Sequence, residues 1–97
     1  MFYKCSHLNE IEIPENVTKI GVDAFSNCRH LKTVKLPEGL EIIGEQAFED
    51  CKSLEEIQLP SSLKSIQKLA FLGCTKLKEL NLPEGIEDLK FNFIKDC

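Results

Sequence analysis

Cysteine stands at positions 5, 28, 51, 74 and 97, so each is followed by the next after 23 residues. The rest of the chain keeps the same period. A shift by one unit aligns Leu8, Leu31, Leu54 and Leu77; Pro14, Pro37, Pro60 and Pro83; Phe2, Phe25, Phe48 and Phe71; and Ala24, Ala47 and Ala70. A repeat of this length marks a solenoid, whose units bury their apolar faces only by stacking on their neighbours. The chain therefore reads as one repeat domain, with units at 5–27, 28–50, 51–73 and 74–96 and a partial unit at the N-terminus. Phe2 and Cys5 already hold repeat positions and Cys97 closes in the same phase. A segment of a longer array is the expectation.

One rung is legible from its residue pattern. In the third unit Ile57 and Leu59 alternate with Glu56 and Gln58, the period of a half-buried strand. Pro60 ends it, because proline cannot donate to a ladder. The equivalent strand cores are Ile11/Ile13, Val34/Leu36, Ile57/Leu59 and Leu80/Leu82. Stacked in register they predict a parallel sheet with rungs about 4.8 Å apart. A polar turn follows each proline: Glu15-Asn16, Glu38-Gly39, Ser61-Ser62 or Glu84-Gly85. Next come Val17, Leu40, Leu63 and Ile86, then Ile20, Ile43, Ile66 and Leu89, expected to line the second wall through a short extended or irregular stretch. Ala, Phe and Cys in the segment from Asp23 to Cys28 and its equivalents suit a single helical or 3₁₀ turn on the back. There the phenylalanines would stack into a spine.

The consensus, Cys-x-x-Leu-x-x-Ile-x-Leu-Pro-x-x-Leu-x-x-Ile-Gly-x-x-Ala-Phe-x-x, resembles the leucine-rich repeats of the BspA-like, or Treponema pallidum-type, class. The resemblance covers essentially the whole chain. It implies a right-handed leucine-rich-repeat superhelix with a concave parallel β-sheet and short helical, 3₁₀ or extended turns on the back. Proteins of this class are commonly bacterial surface or secreted proteins that bind other proteins, and similar repeats are numerous in protozoa. Departures grow toward the C-terminus. Gln67 and Lys90 stand where Gly21 and Gly44 stand in earlier units, and Phe93-Ile94 replaces Ala-Phe, a change expected to crowd or reshape the back of the last rung.

Other functional classes find little support in the residues. The net charge of −4 comes from 12 basic and 16 acidic side chains with no run of either sign, and the basic stripe that nucleic-acid binding needs is missing. No apolar stretch approaches the roughly 18 to 20 residues of a membrane span. Met1 to Glu10 carries no secretory signal pattern; the resemblance alone implies a secreted or cell-surface location. Repeated cysteines read first as small buried hydrophobes. Inter-rung disulfides are disfavoured because equivalent side chains point the same way, and zinc is disfavoured because no close Cys-x-x-Cys pair occurs. Cys5 and Cys97, at the ends, are the ones open to oxidation or cross-linking. His7 and His30 share a phase one rung apart, but Ser53 and Lys76 continue that column, so they read as exposed turn residues. No nucleophile has a periodic reason to meet both a histidine and a carboxylate, and no glycine-rich phosphate loop occurs. Neither catalysis nor a cofactor is expected.

What remains is recognition by surface columns. The outward strand positions are Glu10, Thr33, Glu56 and Glu79 in one column and Glu12, Lys35, Gln58 and Asn81 in the next. This mildly acidic concave face is the candidate site for a protein ligand, although it lacks the aromatic or arginine anchors typical of binding centres. A structural spacer or self-assembling segment is the other reading. Uncapped ends would then associate, with Phe2 and Tyr3 meeting Phe91, Phe93 and Ile94, giving a homo-oligomer or an open filament.

Overall fold

The computed structural model describes residues 9–77 and 80–89. Each rung begins with a three-residue strand: β1 (Glu10–Glu12), β3 (Thr33–Lys35) and β5 (Glu56–Gln58). A two-residue strand follows the proline turn: β2 (Lys19–Ile20), β4 (Ile42–Ile43), β6 (Ser65–Ile66) and β7 (Asp88–Leu89). The long strands form one parallel sheet in the order β1-β3-β5, and the short ones a second in the order β2-β4-β6-β7. Register follows the repeat, with Ile11 opposite Val34 and Val34 opposite Ile57. The expected extended stretch on the second wall is thus a hydrogen-bonded ladder.

Four turns close behind the prolines. The amides of Val17, Leu40, Leu63 and Ile86 donate to the carbonyls of Pro14, Pro37, Pro60 and Pro83. A proline has no N–H to offer a ladder but keeps its carbonyl, so it ends a strand and opens a turn with the same residue. Between rungs two and three this corner is clamped. The amide of Gly39 donates to Ser62 Oγ at 2.8 Å, and that hydroxyl donates to the carbonyl of Leu40 at 2.7 Å.

The back segment keeps the expected 3₁₀-type bond, N–H to the carbonyl three residues earlier, but only at alternate residues. Ala24, Ser26 and Cys28 donate to Gly21, Asp23 and Phe25. The intervening amides of Asp23, Phe25 and Asn27 turn outward and donate to Glu45, Ala47 and Glu49 of the next rung. Serving both directions requires left-handed residues. Asp23, Gln46 and Leu69 have φ of 58°, 58° and 60°, and Asn27, Asp50 and Gly73 have φ of 64°, 59° and 77°. A Cβ at Gly73 would meet the Asp50 carboxylate, so glycine spares Asp50 a shift there and takes the left-handed backbone without strain.

The core is a set of columns. Leu31, Leu54 and Leu77, Ile20, Ile43 and Ile66, and Ala24, Ala47 and Ala70 are all buried, as are Leu40 and Leu63, with Val17 and Ile86 packed partly buried against them. Phe25, Phe48 and Phe71 form the expected spine, with ring centroids 5.4 Å apart at each step and planes within 10° and 3° of parallel.

The concave sheet differs from expectation at the fourth rung. A strand at Leu80 to Leu82 is absent: these residues have no strand conformation, Leu80 is half-buried, and Leu82 is 40% exposed. Asparagine is poorly suited to a strand, and Asn81 sits at the position that Glu12, Lys35 and Gln58 hold in the regular rungs.

Candidate functional site

Alternation along a three-residue strand sends its middle side chain inward and its flanking side chains out. Val34 and Ile57 are accordingly buried and Ile11 half-buried, while Glu10, Glu12, Lys35, Glu56 and Gln58 are exposed and Thr33 is half-exposed. The register brings Glu10, Thr33 and Glu56 into one column and Glu12, Lys35 and Gln58 into the next. Six of the eight expected face residues therefore share one surface. Asn81 is exposed but lies outside the sheet, and Glu79 lies outside the described residues.

A groove of about 700 Å³ runs over this face. Besides the six face residues, its lining includes Glu15, Pro37 and Glu38 from the corner beyond the strands. Glu15 and Glu38 line the groove although strand alternation does not point to them. Their signal was the repeat phase itself, since Glu15, Glu38 and Glu84 share one turn position. Ser61 interrupts that row and donates its hydroxyl to Glu38 Oε1 at 3.0 Å.

The remaining candidates have structural explanations or fall outside the described residues. Cys28, Cys51 and Cys74 are fully buried. Cys51 and Cys74 donate to the carbonyls of Phe25 and Phe48, each at 3.2 Å. These cysteines pack as small hydrophobes whose thiols occupy backbone acceptors of the preceding rung. His30 is exposed, and among the described residues no group of histidine, cysteine or acidic side chains is placed to hold a metal ion. Among them, too, no helix is long and apolar enough to cross a membrane. Cys5, His7 and Cys97, and the end residues Phe2, Tyr3, Phe91, Phe93 and Ile94, lie outside the described residues.

The model of the BspA type leucine rich repeat region (6 copies) matches residues 1–97. No curated protein matches the chain. Among solved structures, the pneumococcal vaccine antigen PcpA is similar over 91% of this chain and 22% of its own, at 38% identity and a TM-score of 0.88. A leucine-rich repeat protein from Bacteroides ovatus is similar over 93% of this chain and 23% of its own, at 39% identity and a TM-score of 0.86. The Treponema pallidum leucine-rich repeat protein is similar over 87% of this chain and 42% of its own, at 28% identity and a TM-score of 0.84. The chain thus spans less than half the length of each of these three proteins.

Proposed function

Because the chain belongs to the BspA-type leucine-rich repeat family, we propose that it is a recognition module of a bacterial surface or secreted protein, meeting a protein ligand with the face of the β1-β3-β5 sheet. The observation that carries this reading is the groove over that face. Parallel register lines up side chains from successive rungs, so a ligand meets a continuous surface rather than isolated residues. The rigid hydrogen-bonded frame on both walls means that little conformational entropy is lost there on binding. One similar protein, PcpA, is a vaccine antigen, which fits an exposed location for proteins of this kind. The recognition needs no cofactor and no chemical step.

Bulky neutral substitutions test the face independently of its charge. Thr33→Tyr and Gln58→Tyr are expected to abolish capture of the protein partner, whereas Lys64→Gln on the other wall leaves capture intact. Retained capture in the two tyrosine variants, with an unchanged circular dichroism spectrum, would remove the concave face from consideration.

A further inference from the structure

We propose that the groove over β1, β3 and β5 takes a cationic polypeptide segment lying across the rungs; this rests on the concave face being the contact surface. Five carboxylates line it, those of Glu10, Glu12, Glu15, Glu38 and Glu56, against one cation, Lys35. Apart from the Ser61 hydroxyl on Glu38, no hydrogen bond or ion pair among the described residues engages these acidic groups. The charge is left for a partner to answer.

Its distribution specifies what kind of partner. Glu10 and Glu56 share a column with Thr33 between them, so they stand about 9.6 Å apart at the parallel-strand spacing. No metal-binding cluster forms among the described residues, so a single small cation finds no set of converging ligands here. Basic side chains spaced along an extended chain do match such a row. A polyproline II segment with lysine or arginine at every third residue repeats at about 9.3 Å, close to the two-rung interval. An acidic segment is repelled. Lys35, opposite Glu12 in the register, is the one groove residue that works against a cationic occupant. Lacking aromatic or arginine anchors, the face would attract through charge more than it grips through packing, which makes the association salt-sensitive.

The test is fluorescence anisotropy of the chain with a labelled peptide bearing lysine at every third residue, beside a matched peptide bearing glutamate. The lysine peptide is expected to bind and the glutamate peptide not to. Glu12→Gln and Glu56→Gln are each expected to weaken binding roughly two- to fivefold, the scale of one exposed ion pair. Lys35→Glu is expected to tighten it, and Glu41→Gln on the other wall to leave it unchanged. Failure of the lysine peptide to bind, or indifference to all three groove substitutions, overturns the inference. A protein partner cross-linked through Thr33 but unaffected by those charge changes would keep the face as contact surface and overturn its cationic preference.

Discussion

The Cys51 thiol donates to the carbonyl oxygen of Phe25 at 3.2 Å, so the repeated sulfur joins one rung to the backbone of the rung before it. Cys74 repeats the contact with Phe48. With Cys28, Cys51 and Cys74 fully buried, thiol reagents reach them only when the stack opens. In a chain carrying serine at positions 5 and 97, their labelling is expected to track global unfolding in a urea series. Fast labelling in water would contradict this packing.

Phe48 stacks between Phe25 and Phe71 with no solvent exposure. Phe48→Ala removes both contacts and leaves a cavity the flat rungs cannot close, at a cost of about 3 to 5 kcal/mol. That is a large share of the stability of an ordinary domain, about 5 to 15 kcal/mol. Urea denaturation followed by circular dichroism measures it.

Ser62 Oγ accepts from Gly39 and donates to Leu40 in the preceding rung. Ser62→Ala deletes both bonds at once and is expected to cost about 1 to 3 kcal/mol. Ser61→Ala, which removes only an exposed bond to Glu38, is expected to cost less than half as much. The same denaturation curves compare the two.

Leu69 is held at φ of 60°, a conformation that costs a branched side chain about 1 to 2 kcal/mol and that asparagine tolerates. Leu69→Asn is expected to raise the denaturation midpoint, corresponding to a gain of up to about 1 kcal/mol in unfolding free energy once the lost apolar contact of this half-buried residue is counted. A lowered midpoint would show that packing at Leu69 outweighs its backbone strain.

The inward columns were legible in the sequence because burial depends on residue type and phase, both of which repeat without interruption at Leu31, Phe48 or Cys51. The outward face was legible for the same reason, since strand alternation fixes the directions of Thr33 and Lys35. Backbone detail was not. Asp23, Gln46 and Leu69 share a left-handed conformation but no chemistry, so nothing in their identities announces the alternating bonds of the back segment. Residues 19–20 and 42–43 form a ladder too short to produce a periodic signal. Glu15 and Glu38 reach the groove from beyond a proline, where alternation no longer says which way a side chain points. The fourth rung keeps the repeat's leucines, Leu80 and Leu82, yet the described residues 80–82 form no strand, so the pattern alone is not sufficient for the sheet.

Site-specific photo-cross-linking tests the central claim most directly. A benzophenone side chain would be placed at Thr33, at Gln58 or at Lys64 of the protein, in the presence of its native surroundings. Recognition through the concave sheet predicts one cross-linked protein partner from Thr33 and Gln58 and none from Lys64. The same partner captured from Lys64, with none from Thr33 or Gln58, would contradict it.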